Sequence, residues 1–458
     1  METISHKWAE FALRLKYKDI PSEALKEAKR FLLDSVGCAL SALDNKDMQA
    51  AFHYIQDLGG EKQTTIFGWG LKTNLPLATL MNSLLIRARD YNDIYWEQDP
   101  SHPSDIIPAA LSTGEFMKKN GKEVLVGIVL AYELEMRLCQ AANPGVREIG
   151  WHHATLTQLV SPVVAGRMLG LNEEEIVAAI GISGSSHFTL GGVVAGHLTN
   201  MKNAADPLAV EAGVRAALLA SKGFTGPAEV FEGKEGLFEV LDKVKWDKEI
   251  LTKGLGENFL INQCGYKAFP TEALTHQPIT AALEVMRENS INPKEVKEVL
   301  VETTTRGADI LSDHSSKYKP TTKETADHSL PYCIAVAVAK GNVLPSDFEE
   351  DALRDPLVWS LLNKIKVVAN PEIDNLFPKI KRAIVTIKIS NREFKKQEDF
   401  AKGQPERPLS EEDLISKFTA NAEKKISSSR MEDIIKATKG LENIDEIGEY
   451  MKLLVSDK

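Results

Sequence analysis

The feature that most constrains the fold is a run of helical patterns, rich in small residues, from Ser22 to Leu260. Segments such as SEALKEAKRFLLDSVGCALSAL and DPLAVEAGVRAALLASKGF carry apolar residues at helical spacing. Ser22 suits an N-cap position, and Asn172, which precedes a run of acids, suits another. Gly191 and Gly192 do not belong to a GxGxxG motif after a strand, so the dinucleotide-binding fingerprint is absent. The run therefore predicts a helical bundle.

The pattern changes near Lys267, where strand-like segments begin. VKEVLVETT, KIKVVANPEID and KRAIVTIKIS read as strands, and HQPITAALEVMRENS and HSLPYCIAVAVAKGN read as helices between them. After KGQPERPLS the pattern is helical again, from Glu411 to the end. The sequence therefore predicts a two-domain protein. A large all-α helical domain comprises residues 1–266 and the C-terminal helices of residues 404–458, and a smaller α+β lid domain, residues 267–403, is inserted before those helices.

The composition excludes several classes of function. A net charge of -10 and a pI of about 5.6 argue against a general nucleic-acid binder, so any anion site must be a local cationic pocket. The sequence predicts no membrane span and no secretory signal, because it lacks the apolar stretches that these require. The four cysteines lie far apart without a CxxC motif. They indicate a reduced, cytoplasmic protein rather than a zinc or iron–sulfur site.

The segment DYNDIYWEQDPSHPSD, residues 90–105, is polar and irregular although its flanks are apolar. Asp90 and Asp93 are three residues apart, so both carboxylates can face one cavity, where like charges raise one pKa and yield an acid or base. His102 stands nearby in a stiff Ser-His-Pro setting. Alternatively, the two acids cap a helix or turn and the histidine bonds a backbone carbonyl. The cluster favours function, because polar loops inside apolar bundles usually serve a site.

Four more candidates stand beside apolar helices. His152, in GWHHAT, opens a helix whose N-terminus suits a carboxylate ligand. Lys202 precedes another helix, where a cation is unfavourable unless an anion lies beside it. His276 and Tyr332 belong to the second domain, and a site between domains would gather all seven candidates. The alternatives are a solvated loop lysine and packed core residues with satisfied polar tips. No metal-ligand spacing occurs, so no metal is predicted.

Seven separated stretches, in the same order, resemble the MmgE/PrpD family, which includes 2-methylcitrate dehydratases and cis-aconitate decarboxylases. Besides DYNDIYWEQDPSHPSD and GWHHAT, they are RMLGLNEEEIVAAIGISGS, MKNAADPLAVEAGVRAALLASKGFTGP, KAFPTEALTHQPI, ETADHSLPYCIAVAVAKG and KGQPERPLS. The resemblance covers essentially the whole chain. It implies a helical domain formed by both chain ends, an inserted α+β lid domain, a homodimer and a lyase without a cofactor. It also implies an active site at Asp90, Asp93, His102, His152, Lys202, His276 and Tyr332.

The resemblance implies a metal-independent hydro-lyase that dehydrates 2-methylcitrate, with citrate as a second candidate substrate. It also implies a role in propionate catabolism, in the methylcitrate cycle. Related decarboxylases carry a threonine directly after the acidic pair, where this chain has Ile94, and this difference favours the dehydratase branch. Asp90 or Asp93 is the first choice for proton transfer and His102 the second. The assignment of base and acid stays open. Tyr332 is expected to be a proton donor or an orienting group. The residues expected to bind the three carboxylates of the substrate are His152, Lys202 and His276.

Three other functions share this chemistry or this fold. A cis-aconitate decarboxylase needs the same tricarboxylate pocket, so residue types barely separate it from a dehydratase. An amino-dicarboxylate epimerase also removes a proton alpha to a carboxylate. A non-catalytic binding protein has no need of all seven side chains, which counts against that alternative, although a fold alone does not establish a function.

Overall fold

The first half of the chain is built from helices in the computed structural model, which describes residues 2–195, 198–312 and 314–458. The helices are α1 (Ile4–Arg14), α2 (Ser22–Ser41), α3 (Lys46–Leu58), α4 (Leu75–Arg87), α5 (Ile107–Phe116), α6 (Gly121–Ala141), α7 (Ala154–Leu169), α8 (Glu173–Gly184), α9 (Met201–Ala220) and α10 (Leu237–Val240). Helix α9 packs against α4, α7 and α8. The described part of the chain contains no helix long and apolar enough to cross a membrane.

The two predicted helix caps have different outcomes. The Asn172 cap of α8 is confirmed, because its side chain accepts the Glu175 N–H at 3.0 Å and Glu175 accepts the Asn172 N–H at 2.9 Å. The Ser22 cap is wrong. Helix α2 begins at Ser22 itself, and Pro21 occupies the cap position, where its fixed φ of -57° leads the chain into the helix without a side-chain hydrogen bond.

Short strands fasten the loops of the first half. They are β1 (Thr64–Thr65), β2 (Lys72–Thr73), β3 (Asp93–Trp96), β4 (Pro100–Ser101), β5 (Ala142–Asn143), β6 (Lys245–Trp246) and β7 (Gly265–Tyr266). Strand β3 is central in a small antiparallel sheet of order β4-β3-β7. The polar segment 90–105 thus contains a strand that its composition does not predict, because the pairing partner β7 lies far along the chain. This sheet fixes the polar loop against the start of the second half.

The second half forms an α+β unit. Its helices are α11 (His276–Glu288), α12 (Thr305–Ser312), α13 (Lys323–Ala326), α14 (Leu330–Lys340), α15 (Pro356–Leu362) and α16 (Pro371–Asp374). Its sheet has the order β11-β10-β8-β9, formed by β8 (Val296–Thr303), β9 (Ile365–Ala369), β10 (Ala383–Ile389) and β11 (Arg392–Glu398), with only β8 and β9 parallel. The three predicted strands and two predicted helices are confirmed. Strand β11 was not predicted, because it is a charged edge strand without an apolar face.

The apolar side chains form two large cores. One lies among the N-terminal helices and includes side chains of the C-terminal helices α17 (Glu411–Ala422), α18 (Ser428–Lys439) and α19 (Gly448–Leu453). The other surrounds the sheet of the α+β unit, from Phe269 to Ile389. The fold is therefore mainly helical with small sheets. The role of the α+β unit as a lid stays a prediction.

Candidate active site

A cavity lies between the helical unit and the α+β unit, and positively charged side chains dominate its walls. The space free of protein atoms in this cavity and its opening to solvent is about 590 Å³. Its charged lining residues are Arg87, Asp90, Arg147, Lys202, Lys267, Glu272 and Arg306, and its histidines are His102, His152, His153 and His328. Five cations thus face two carboxylates, which leaves a formal excess of three positive charges when the histidines are neutral. Such a cavity attracts a small polyanion.

Asp90 gathers three of these cations. Helix α4 ends at Arg87, and Asp90 follows in the left-handed backbone region, with φ 49°. Arg87 donates to its Oδ1, Lys267 Nζ lies 2.9 Å from the same oxygen, and Lys202 Nζ lies 3.4 Å from Oδ2. Burial alone would raise the pKa of Asp90, but Lys202, Lys267 and Arg87 hold it well below its ordinary value. Asp90 is therefore a fixed counter-ion that positions two lysines.

Asp93 lies behind the cavity rather than in its lining. Its carboxylate accepts the Ser104 N–H at 3.0 Å and the Ser104 hydroxyl at 2.6 Å, and burial raises its pKa to about 6. Its backbone carbonyl lies 2.6 Å from His102 Nδ1. Because a carbonyl only accepts, Nδ1 carries the proton and Nε2 is the free acceptor of the His102 ring. Burial and Arg87 hold the pKa of His102 well below its ordinary value, so the ring is neutral.

The paired histidines open α7, as the sequence indicates, and both line the cavity. His152 Nδ1 accepts the Ala154 N–H at 3.2 Å, so its Nε2–H is free to donate. His153 Nε2 lies 3.3 Å from Asp206 Oδ2. Among the described residues, His152, His153 and Asp206 form the one group with metal-ligand atoms within 4.8 Å of one another. Arg87 Nε lies 3.9 Å from the same Asp206 oxygen, so this carboxylate already has a positively charged side chain beside it.

The α+β unit contributes the facing wall. His328 Nδ1 lies 2.5 Å from Asp327 Oδ1, and Asp327 Oδ2 accepts from Lys323 Nζ at 2.9 Å. Glu272 is partly exposed to the cavity, and burial raises its pKa to about 7. Arg306 lies over the Trp96 ring, 5.3 Å from its centroid. This wall therefore carries one carboxyl group, Glu272, whose protonation changes near neutral pH.

The structure does not bring His276 and Tyr332 into this cavity. His276 opens α11 and lines a neighbouring cavity, with Nε2 3.4 Å from the Thr271 carbonyl oxygen. The Tyr332 hydroxyl donates to the Asp347 carbonyl at 2.8 Å, and its ring packs edge-on against Phe348 in the second core. Both fit the alternative of packed residues with satisfied polar tips. Their contact with a substrate stays an untested expectation.

The sequence did not point to seven charged or histidine residues of the cavity lining: Arg87, Arg147, His153, Lys267, Glu272, Arg306 and His328. Signals existed for some of them. Arg87 stands three residues before Asp90 near the end of a helix, and Lys267, Glu272 and His328 lie inside stretches that carry the family resemblance. Arg147 and Arg306 lie outside those stretches, in segments without a distinctive pattern. Ile94, the residue on which the sequence-based preference for the dehydratase branch rests, does line the cavity.

The fold and the cavity together define a mainly helical, two-unit protein with a cationic cavity between its units. The MmgE/PrpD N-terminal domain model matches residues 6–249, and the MmgE/PrpD C-terminal domain model matches residues 269–443. The chain therefore belongs to the MmgE/PrpD family.

Curated relatives of the chain carry two activities. Human cis-aconitate decarboxylase is 24% identical over 472 positions, which cover 99% of this chain and 95% of that protein. The cis-aconitate decarboxylase of Aspergillus terreus is 24% identical, with coverage of 97% and 94%. The 2-methylcitrate dehydratase of Escherichia coli O157:H7 is 25% identical over 384 positions, with coverage of 78% and 76%. These relatives are lyases, which supports an enzymatic role.

Proposed function

We propose that the protein is a lyase that acts on a small tricarboxylate, and that it dehydrates 2-methylcitrate to a 2-methylaconitate without a metal. The excess of three positive charges in the lining of the interdomain cavity carries this proposal. A fully ionised tricarboxylate brings three negative charges, so it neutralises that excess. Because the cations are removed from bulk water, their attraction for carboxylates is stronger than at an exposed surface.

Lys202 and Lys267, which both contact Asp90, are the proposed carboxylate-binding groups. Both are buried, and Asp90 holds both ammonium groups in place before substrate arrives. Burial lowers the pKa of Lys202 to about 8, so it is mainly charged at neutral pH. Such preset positive groups stabilise the carbanion-like charge that develops when a proton leaves the carbon beside a carboxylate. His152 adds an Nε2–H donor from the head of α7.

His102 is the proposed base. Its ring is neutral, and its Nδ1–H is held by the Asp93 carbonyl, so Nε2 is the ring nitrogen that can take the proton. This choice revises the sequence-based preference for Asp90 or Asp93 as the proton-transfer group. Three cations keep Asp90 ionised, and Ser104 anchors the Asp93 carboxylate away from the cavity. His276 and Tyr332 receive no role in this scheme.

Decarboxylation of cis-aconitate is the second candidate. It is favoured by the near-complete coverage of both chains in the match to the human decarboxylase. It uses the same carboxylate-binding cations, but it breaks a carbon–carbon bond and needs no base to remove a proton. Ile94, in place of the threonine of the related decarboxylases, is the opposing observation.

The deciding experiment is a product assay on purified protein in the presence of a chelator. Each of 2-methylcitrate, citrate and cis-aconitate is supplied separately and followed by NMR. We expect an unsaturated tricarboxylate from 2-methylcitrate. Formation of itaconate and carbon dioxide from cis-aconitate would instead establish the decarboxylase. No turnover of any of the three would favour the epimerase or the non-catalytic binding protein.

Two variants test the assigned residues against matched controls. His102→Asn and Lys202→Met should each lower turnover by at least about 10²-fold, because a proton-transfer group and a charge-stabilising group are removed. The controls are His314→Asn and Lys222→Met, which change exposed residues outside the cavity lining. Full activity of a folded His102→Asn protein would remove His102 from the mechanism.

A further inference from the structure

His328 and Asp327 form a hydrogen-bonded pair on the α+β wall. This pair takes no part in the proposed binding of carboxylates or in the proposed removal of the proton. Asp327 is fully buried, and Lys323 and His328 occupy its two carboxylate oxygens. Next to the pair, Ser329 caps α14 by accepting the Tyr332 N–H at 3.0 Å. The Glu272 N–H also donates to the Asp327 carbonyl at 3.0 Å. The ring is therefore held in one orientation by its own loop.

The two histidines of opposite walls, His102 and His328, differ in what accepts their Nδ1–H. A neutral carbonyl accepts from His102, whereas the Asp327 carboxylate accepts from His328. An adjacent carboxylate stabilises an imidazolium, and a carbonyl does so far less. The His328 ring is thus better suited to carry a second proton before the reaction, whereas the His102 ring is held neutral with its Nε2 unprotonated.

We infer that His328, oriented by Asp327, is the proton donor to the leaving hydroxyl group. This inference rests on the proposed dehydration. In the step, the carbon–hydrogen bond breaks and its proton goes to His102 Nε2. The electron pair forms the carbon–carbon double bond, and the carbon–oxygen bond breaks. The proton on His328 Nε2 joins the departing oxygen, so water leaves. Exchange of protons with solvent then restores both rings, and no oxidant or reductant is needed.

The bound substrate supplies the reason for His328 to become protonated. In the empty cavity, burial and Lys202 lower the pKa of His328 to about 4, against the opposing influence of Asp327 and Asp90. A tricarboxylate on Lys202 neutralises that cation and adds negative charge beside the ring. Both changes raise the pKa of His328, so the proton donor forms when the substrate is present.

Glu272 is the other acid of this wall, and its geometry suits the role less well. Its Oε2 accepts the Leu274 N–H at 2.6 Å at the start of a short helical turn. That hydrogen bond favours the ionised carboxylate and keeps one oxygen engaged with the backbone. The Nε2 atom of His328 has no such competing partner among the described residues.

Exchange of the leaving group tests the inference. Fluoride departs without a proton, so an analogue of 2-methylcitrate with fluoride in place of the hydroxyl group needs no acid. We expect His328→Asn to lower turnover of 2-methylcitrate by about 10²–10⁴-fold but turnover of the fluoro analogue by less than about fivefold. His102→Asn should slow both reactions, and His314→Asn should slow neither. Equal loss on both substrates in His328→Asn would overturn the inference.

A second measurement on the unmodified protein does not depend on turnover. The pKa of His328 is measured by NMR of labelled histidines, with and without the unreactive propane-1,2,3-tricarboxylate, and His328→Gln or His328→Asn assigns the signal. We expect the ligand to raise this pKa by at least two units. If the protein acts on none of the three tricarboxylates, the proposed function fails. The titration is then the only test of whether a bound tricarboxylate protonates His328. A pKa that does not move would then refute the role of His328 as a ligand-dependent proton donor.

Discussion

The two walls of the cavity hold their charges in different ways. On the helical side, Asp90, Arg87 and Lys202 are at most 3% exposed and form one network of ion pairs. On the α+β side, Glu272 and Arg306 remain partly exposed. The helical wall therefore presents charges that are fixed before a ligand arrives. The α+β wall carries Glu272, whose pKa of about 7 lets its charge change near neutral pH, and His328, the proposed proton donor. The proposed base, His102, and the proposed proton donor, His328, thus lie on opposite walls, while the ion-paired cations around Asp90 are assigned to binding.

The largest expected effect comes from removing the central charge of the helical wall. Asp90→Asn leaves Arg87, Lys202 and Lys267 close together without their shared carboxylate. We expect the free energy of unfolding to fall by about 3–5 kcal/mol, because uncompensated buried charges are strongly destabilising. Urea denaturation measures this loss. Sulfate or propane-1,2,3-tricarboxylate should restore part of it, since an anion can replace the missing charge.

Asp327→Asn is the matched change on the α+β wall. It should cost less than Asp90→Asn, because its partner Lys323 retains 18% exposure of its side chain and can regain water. The double variant Asp90→Asn/Lys267→Met should recover stability relative to Asp90→Asn alone, because one of the repelling cations is removed. An equal loss in Asp90→Asn and Asp327→Asn would show that the two walls do not differ in this way.

The predictability of the site follows the same division. Asp90, His102, His152 and Lys202, which the sequence predicted because each is a polar residue beside an apolar helix or inside a polar loop, all line the cavity. The ion pairs between them were not predicted, because Asp90 meets Lys202 and Lys267 only after distant helices pack. The sequence pointed to His276 and Tyr332 and not to Lys267 and His328, because Lys267 and His328 stand in irregular segments outside the helices and reach the cavity only in the folded chain.

The fold was predicted better than the site, for a physical reason. Periodic apolar residues on α11 and β8 indicate directly which face is buried, and the nearly continuous apolar runs of α14 and β10 indicate elements buried on both sides. The elements that were missed lack this signal. Strand β3 is polar and is defined by its pairing with β7, and β11 is charged and is defined by its pairing with β10. Long-range pairing, not local composition, determines both.

A smaller effect is expected from a carboxylate buried inside the helical unit that has no cation beside it. Glu135 on α6 accepts hydrogen bonds from Ser101 and Thr157, and burial raises its pKa from 4.5 to about 8. Between these values the unfolded chain has lost a proton that the native protein keeps, so stability falls as pH rises. Glu135→Gln is neutral throughout and escapes this loss.

We therefore expect Glu135→Gln and the unmodified protein to be similar in stability at pH 4.5, and the variant to be more stable by on the order of 2 kcal/mol at pH 6. Urea denaturation at several pH values measures the difference. Glu115→Gln is the control, since Glu115 is also buried but has Lys72 2.7 Å away. A constant difference between Glu135→Gln and the unmodified protein across this range would contradict a raised pKa of Glu135.

The smallest expected effect concerns the α+β wall and is seen in binding rather than stability. Glu272, with a pKa of about 7, is neutral below that pH and negative above it. Its ionised form repels a tricarboxylate, so KM should rise as pH increases from 6 to 8 in the unmodified protein. We expect KM of the unmodified protein to increase by about fivefold to tenfold, because one negative charge is added across the cavity from the substrate. Glu272→Gln should abolish this increase.

Loss of charge from Lys202 affects both proteins, but mainly above its pKa of about 8, so the two effects occupy different pH ranges. The measurement is KM against pH for both proteins, with kcat recorded separately. A rise in KM that persists unchanged in Glu272→Gln would mean that Glu272 does not face the substrate. A rise that disappears would show that the α+β wall adjusts its charge near neutral pH, while the helical wall keeps Asp90 ionised throughout.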